Sequence, residues 1–317
     1  MKIFLAGVEN TPSLKVAAAS GLSTALFSYY HLSKMGTAGL TKWLDEVHSR
    51  DLELICDSGL FTLMFGAGKG GNYDFKFMQD YTTKYIQTAK SWGIKNLTIV
   101  ECDVHKILGM PAVFELRKQF EDSGMNVLYV WHKEEEISGL INMSQKYPYI
   151  ALSVPELRLL FSGQSERYQN AVFDLLRIIR QNNETMPKIH LLGNTVQETM
   201  ETRLAYSCDS TSWIAGGKFG RGTILRNGRL KSLHTSDPLY LEYKKRVFEL
   251  FTEHQKKIYE SFEKETTRSY YSINLLSAIA YRLYQDNLNR SHPWVGLTER
   301  ITHVNQRQFA DITYRDC

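Results

Sequence analysis

The chain has little cysteine and no long apolar run. Its four cysteines, in 317 residues, occur singly and never as C-x-x-C. This spacing argues against a disulfide scaffold and favours a reducing compartment. The apolar runs are well short of the roughly 18 residues that a membrane-spanning helix requires, and the first residues are too few for a signal peptide. We therefore expect a cytoplasmic protein that makes no contact with a membrane.

A strong excess of one charge is also lacking. The 38 Lys and Arg residues against 34 Asp and Glu residues leave a net charge of +4. This balance permits nucleic acid as a partner without demanding it. Hydrophobic residues make up 43% of the chain and charged residues 23%, which is typical of a globular protein and argues against wholesale disorder.

Short apolar segments alternate with amphipathic stretches of helical period, such as residues 73–92, 111–123 and 165–180. Alternation of this kind indicates parallel βαβ units. Eight segments are predicted to be strands: residues 2–6, 25–30, 52–56, 97–102, 127–131, 149–154, 188–192 and 205–208. Eight such strands predict an α/β protein with the architecture of a (β/α)8 TIM barrel.

A doubly wound open sheet is the alternative architecture. No predicted strand runs directly into a G-x-G-x-x-G turn, which disfavours this alternative. The glycine-rich run at residues 66–71 resembles a phosphate loop, but it begins ten residues after the strand that ends at Cys56. It also lacks a following Ser or Thr, so we interpret it as a flexible loop.

The pattern changes after Gly222. Residues 223–230 predict a hairpin that turns at Asn227-Gly228, and residues 238–289 are almost wholly helical in pattern. We therefore divide the chain into a barrel domain, residues 1–235, and a helical C-terminal extension, residues 236–317, packed on the barrel. The extension is expected either to clamp nucleic acid or to form a homodimer.

Three aspartates stand at or near the carboxyl ends of predicted strands, where TIM barrels place their active sites. Each follows a cysteine; they are Asp57, Asp103 and Asp209. Because strand side chains alternate, an inward aspartate puts its cysteine outward, so we expect no metal site built from both. One such aspartate would suit a turn cap, but three favour chemistry. His105, His132 and His190 also lie near strand ends and are interpreted as packing residues.

The sequence has no Ser/His/Asp order with a G-x-S-x-G nucleophile elbow, no H-E-x-x-H motif and no C-x-x-C motif. Paired carboxylates suit glycosidic chemistry, in which one attacks the anomeric carbon and the other handles the proton of the leaving group.

The segment Asp57-Ser58-Gly59-Leu60-Phe61 resembles the D-S-G-G-F-Q motif of the guanine transglycosylases, which exchange guanine for a 7-deazaguanine base. The matching segments follow in the family's order between residues 52 and 230: Glu101-Cys102-Asp103, Leu192-Gly193, Cys208-Asp209 with Ser210-Thr211-Ser212-Trp213, and the hairpin at 222–230. The segment after Asp209 is similar to the V-D-S-x-x-W of the phage and DNA-modifying branch, whose members act in the host cytoplasm.

The resemblance implies a TIM barrel in which Asp209 is the nucleophile, Asp57 the general acid and base, and Asp103 the reader of the purine edge. Phe61 and Leu192 would sandwich the base. The remaining residues of the implied base pocket are Ser58, Gly59, Gly193, Trp131 and His132, and those implied to contact flanking phosphates are Lys218, Arg221, Arg226 and Arg229.

The chain departs from the family in several places. Only Cys317 follows Cys208, so the zinc site that the tRNA enzymes carry after the barrel cannot be built. Ser153-Val154 replaces a glycine pair, and Trp131-His132 replaces a glutamine. Loss of the zinc site favours DNA over tRNA as the substrate.

The expected partners are therefore DNA, with tRNA as the alternative, and a free 7-deazaguanine base such as preQ0. No cofactor and no metal are expected, because the glycosyl-enzyme ester retains the bond energy. Two alternatives remain open: a base-excising hydrolase on the same site, and a barrel that binds nucleic acid without catalysis.

Overall fold

The structure, a computed structural model, describes residues 1–66, 71, 73–194, 196–265 and 269–297. The interpretation of the glycine-rich run as a flexible loop falls on residues 67–70, which lie outside the described residues. Residues 298–317 of the predicted C-terminal extension also lie outside them. The division of the chain at residue 235 stays a prediction.

Eight parallel strands follow one another around a closed barrel, and the circle closes where the eighth strand pairs with the first. The predicted (β/α)8 TIM barrel is therefore confirmed. The strands are β1 (Lys2–Ala6), β2 (Thr24–Ser28), β3 (Glu53–Asp57), β4 (Leu97–Val100), β5 (Asn126–Trp131), β6 (Tyr149–Ser153), β7 (Lys188–Leu192) and β8 (Ser207–Ser210).

Within the described residues, ten α-helices lie between successive strands of the barrel and four follow the eighth strand. They are α1 (Thr11–Ala19), α2 (Tyr29–Ser33), α3 (Thr37–His48), α4 (Leu60–Phe65), α5 (Phe75–Ser91), α6 (His105–Glu121), α7 (Glu136–Lys146), α8 (Val154–Leu160), α9 (Ser165–Gln181), α10 (Gln197–Met200), α11 (Ser212–Ala215), α12 (Pro238–Glu249), α13 (Glu253–Glu263) and α14 (Tyr270–Ser291). Local signals explain several starts: Asn10 caps α1 and Asp74 caps α5, each by accepting a backbone N–H.

Two boundaries differ from the sequence prediction in ways that affect the mouth of the barrel. The last strand lies two residues later than predicted, so Asp209 is inside β8 rather than after it. Its Ser-Cys-Asp-Ser sequence lacks the apolar run that marks the other strands. The helix predicted to begin at Pro111 begins at His105, with one non-helical residue at Gly109, whose φ is 75°.

Strand alternation separates a small inner core from a large outer one. Phe4, Ile55 and Val100 belong to the cluster inside the barrel. Cys56 and Cys208 are buried in the outer layer, between strands and helices. Since side chains alternate along a strand, Asp57 and Asp209 project to the inner side, as predicted.

An antiparallel hairpin follows the barrel, formed by β9 (Arg221–Arg226) and β10 (Arg229–His234). The predicted turn at Asn227-Gly228 is confirmed; both residues have positive φ, as a two-residue hairpin turn of this hand requires. Helix α14 packs against β9, α1 and β1. Within the described residues no helix is both long and apolar enough to cross a membrane.

Candidate active site at the carboxyl end of the barrel

Asp209 is held from two directions on the inner side of β8. Its Oδ1 accepts the backbone N–H of Gly193 at 2.8 Å and lies 3.1 Å from Nε2 of His190. Gly193 has a φ of 61°, and a Cβ there would lie 2.7 Å from Pro155 Cγ, so glycine is the residue that permits this approach. No group of the described residues donates a hydrogen bond to Oδ2, which leaves that oxygen for a reacting atom.

A buried row of polar side chains stands behind Asp209. The hydroxyl groups of Tyr149 and Ser207 lie 2.6 Å apart, and Ser207 Oγ lies 2.8 Å from His190 Nδ1. With Nε2 facing a carboxylate, the consistent arrangement has Nε2–H donating to Asp209 and Nδ1 accepting from Ser207. His190 is thus a positioning residue for Asp209, a role that its interpretation as a packing histidine missed.

Asp57 ends β3 in a different environment. Its Oδ2 accepts the backbone N–H of Gly59 at 3.2 Å. Burial raises the pKa of Asp57, against the lowering effect of the Gly59 bond, and with the negative charges of Asp209 and Asp103 the pKa reaches about 6. The three predicted aspartates therefore lie close enough to interact electrostatically.

Gly59 fits the tight turn after Asp57. Its φ is 73°, and a Cβ would lie 2.4 Å from both Ser28 Oγ and Tyr30 Cβ. Ser58 is buried and its carbonyl accepts the hydroxyl of Tyr81 at 2.6 Å. The D-S-G segment thus builds a rigid turn that fixes the direction of the Asp57 carboxylate.

The two residues predicted to sandwich a base are placed unequally. Phe61, on the first turn of α4, is 75% exposed. Leu192 ends β7 and packs on the inner core of the barrel. An exposed ring and an inner wall are compatible with a base bound between them, but that sandwich stays a prediction.

Asp103 lies after β4 and contacts a histidine, while its side chain stays partly exposed. Its carboxylate is hydrogen-bonded to Nδ1 of His105, the first residue of α6. Nε2 of His105 lies 2.9 Å from Oε1 of Glu156, on α8. Burial alone would lower the pKa of His105, but the hydrogen bonds to both carboxylates outweigh it and raise this pKa to about 9. One oxygen of the Asp103 carboxylate, Oδ1, is therefore engaged within the protein.

His132 follows β5 and is 0% exposed. Its ring stacks on His105, with the ring centroids 4.2 Å apart. Neither ring nitrogen has a hydrogen-bond partner, and Nε2 lies 3.7 Å from Asp103 Oδ1. Burial lowers the pKa of His132, which favours the neutral imidazole. The sequence prediction placed His132 in the base pocket, and the structure places it beside Asp103.

The prediction that Trp131 lines the base pocket is wrong. Trp131 is the last residue of β5, where Leu128 and Val130 face inward, so strand alternation turns the indole outward. Its Nε1–H donates to the carbonyl of Glu136 at 3.1 Å. Only the second residue of the Trp131-His132 pair can face the mouth.

Glu101, in the segment that resembles a purine-reading motif, has a structural role. It receives two hydrogen bonds from Arg117, from Nε at 2.8 Å and from Nη2 at 2.9 Å. The backbone N–H of Val130 also donates to it, at 2.6 Å. This bidentate pair is buried and ties α6 to the barrel wall.

The four basic residues predicted to contact phosphate are in different situations. Arg229 pairs with Glu198 and Glu201, at 2.8 and 2.9 Å, so its charge is already compensated. Arg221 donates to the Ser232 carbonyl. Lys218 lies 5.6 Å above the ring of Tyr270, and Arg226 is exposed, without an ion pair to any described residue. Phosphate contact by these residues stays a prediction.

No protein-family model and no curated protein matches this sequence. Among solved structures, the chain is similar to a dihydrodipicolinate synthase family protein from Coccidioides immitis, with 10% sequence identity and a TM-score of 0.41. The similarity covers 90% of this chain and 87% of the other.

Proposed function

We propose that the protein is an enzyme, a base-exchange transglycosylase that replaces guanine in DNA with a 7-deazaguanine base through a covalent aspartyl intermediate. The observation that carries the proposal is the contrast between two carboxylates at the mouth. Asp209 is held by two donors to one oxygen, whereas burial and neighbouring charges raise the pKa of Asp57 to about 6. Two carboxylates whose surroundings differ in this way are suited to act as a nucleophile and a general acid.

In this mechanism Oδ2 of Asp209 attacks C1′ of the target deoxyguanosine. The bond from C1′ to N9 breaks as Asp57 donates its proton to the departing guanine, and an ester to Asp209 forms. The free 7-deazaguanine then attacks C1′ through its ring nitrogen, Asp57 takes the proton from that nitrogen, and the ester bond breaks. The bonds lost and formed balance, so no oxidant or nucleotide energy source is required.

The target nucleotide has to leave the DNA stack before its C1′ can reach the mouth of the barrel. The exposed ring of Phe61 supports this requirement, because an aromatic face on the helix that follows Asp57 can stack on an extruded base. Exposed Lys218 and Arg226 carry charge for the flanking phosphates.

The test offers labelled guanine or preQ0 to the purified chain with duplex DNA and with total tRNA in separate reactions. We expect label to enter DNA. Label in tRNA alone would reverse the choice of substrate. Release of guanine without incorporation would support a hydrolase, and binding without either reaction would support a non-catalytic barrel.

Asp209→Asn is expected to lower exchange at least ~10⁴-fold and to abolish the covalent adduct, because an amide oxygen is a poor nucleophile. The adduct is measured as protein that stays attached to labelled DNA after denaturation. Asp174→Asn changes a partly exposed aspartate on α9, is the matched control and should behave as the wild type. An adduct of normal yield in Asp209→Asn would refute the assignment.

A further inference from the structure

A second cluster at the mouth is separate from the Asp57 and Asp209 pair. Asp103, His105 and His132 place one oxygen and two imidazole nitrogens within 4.8 Å of one another. They come from the segments that follow β4 and β5, so two adjacent strands of a rigid barrel hold them. We propose that these three residues bind a divalent transition-metal ion of the zinc type, at a site distinct from the cysteine-rich zinc site of the tRNA enzymes.

His132 is the observation that points to a ligand. It is 0% exposed, yet neither of its ring nitrogens has a hydrogen-bond partner among the described residues. A buried polar group without a partner destabilises the fold, because it has lost its hydrogen bonds to water. Nε2 points to the cluster, 3.7 Å from Oδ1 of Asp103. A metal ion between these two atoms would satisfy the nitrogen in a way that no described protein group does.

His105 has the surroundings of a metal-ligating histidine. Such a histidine usually donates its other ring N–H to a carboxylate, which fixes the tautomer and the ring orientation. Nε2 of His105 lies 2.9 Å from Glu156, and Glu156 is itself held by Lys106 Nζ at 2.9 Å. The metal ion would take the place of the proton that Nδ1 now shares with Asp103, and the bond from Nε2–H to Glu156 would remain.

The chemistry of the donor set selects the class of ion. Imidazole nitrogens favour zinc, cobalt, iron or nickel over magnesium and calcium, which prefer oxygen donors. Two histidines and one carboxylate leave at least one coordination position open, as in catalytic rather than structural zinc sites. The Asp103 side chain is 39% exposed, so the open position is on the solvent side of the cluster.

The proposed site does not depend on the transglycosylase reaction, and its test uses no nucleic acid. The full chain is stripped with a chelator, dialysed and titrated with Co²⁺, whose visible d–d absorption reports coordination by nitrogen and oxygen. We expect one Co²⁺ per chain, displaced by Zn²⁺. No binding at millimolar free Co²⁺ would overturn the proposal.

Three variants locate the ion. Asp103→Asn and His132→Gln are expected to weaken Co²⁺ binding at least ~100-fold. Glu156→Gln, which removes the support of His105 but no ligand, should weaken it by about 10- to 100-fold. Asp103 is partly exposed, so its variant should fold even if the buried His132→Gln does not. His254→Gln, on an exposed face of α13, is the matched control and should bind as the wild type. Unchanged affinity in Asp103→Asn would place the ion elsewhere and overturn the assignment.

Discussion

Polar side chains at the two ends of the barrel differ in how well they are paired. At the amino end of the strands a cavity of about 590 Å³ is lined by tyrosines, lysines and a glutamate. Lys2 pairs there with Glu53, and the rings of Tyr129 and Tyr147 stack with centroids 3.8 Å apart. At the carboxyl end Asp57 sits among like charges and His132 has no partner. Among the described residues, interacting like charges and a buried histidine without a partner are thus found at the carboxyl end.

This contrast agrees with the division of labour in TIM barrels, whose amino ends contribute stability and whose carboxyl ends carry chemistry. Mutual repulsion and missing partners cost folding free energy, so a protein retains them where they are used. Variants that neutralise groups at each end therefore test whether the two ends differ in the free-energy cost of their polar side chains.

The largest expected change in stability is for Arg117→Ala. It would leave Glu101 buried without its cation, and we expect the free energy of unfolding to fall by about 3–5 kcal/mol in urea denaturation. Glu101 lies at the carboxyl end of β4 but is paired with Arg117. This variant therefore tests whether the pairing of a buried charge, rather than its position in the barrel, determines the loss in the free energy of unfolding.

Arg177→Ala is the control for Arg117→Ala, since its partner Asp174 is exposed and the pair should contribute less than about 1 kcal/mol. A loss in Arg117→Ala no larger than in this control would contradict the structural role of Glu101.

A smaller effect of opposite sign is expected for Asp57→Asn. The folded-state pKa is about 6 against an ordinary value of 3.8, so the folded protein binds this proton more tightly than the unfolded chain does. Asp57 therefore destabilises the fold increasingly as the pH rises from about 4 to about 6, and constantly above that. We expect Asp57→Asn to raise the free energy of unfolding by about 2 kcal/mol near pH 8.

The same variant should match the wild type near pH 3, where the Asp57 carboxyl is mostly protonated in both the folded protein and the unfolded chain. Asp174→Asn should change stability little at either pH. A loss of stability in Asp57→Asn near pH 8 would show that the carboxylate is compensated by a partner and would remove the contrast between the two ends.

The smallest effect is expected for Tyr149→Phe, which removes the hydroxyl that contacts Ser207. We expect a loss of about 1 kcal/mol in the free energy of unfolding, typical of one buried hydrogen bond. Base exchange should keep most of its rate, because His190 still contacts both Ser207 and Asp209. A loss of exchange as large as that expected for Asp209→Asn would contradict the difference between the two ends. A side chain from the amino end of the strands would then control the reaction proposed for the carboxyl end.

Much of the fold could be predicted because hydrophobic periodicity and barrel packing agree. All eight strands were predicted, and the largest shift was at β8, whose Ser-Cys-Asp-Ser sequence has no apolar run. The inward direction of Asp57 and Asp209 followed from alternation alone. The same rule, applied to Trp131, would have shown that it faces outward once the inward-facing side chains of β5, Leu128 and Val130, were known.

The partners of the site residues could not be predicted, because they come from distant parts of the chain. Glu156 meets His105 across 51 residues, and His190 meets Asp209 from the neighbouring strand. Sequence spacing indicates which residues stand at strand ends, but the contacts among them depend on the tilt of the barrel and on individual rotamers.

The position of helix α14 in the sequence has a consequence for folding during translation. Gln285 accepts the backbone N–H of Ile3, 282 residues away, at 2.6 Å, and β1 also needs β8 beside it. At about 5–20 residues per second, the ribosome makes these partners only tens of seconds after β1. Until then the nascent chain carries an open strand edge, which is a template for aggregation. The edge of β1 that pairs with β8 therefore stays open to intermolecular pairing for most of the time that translation takes.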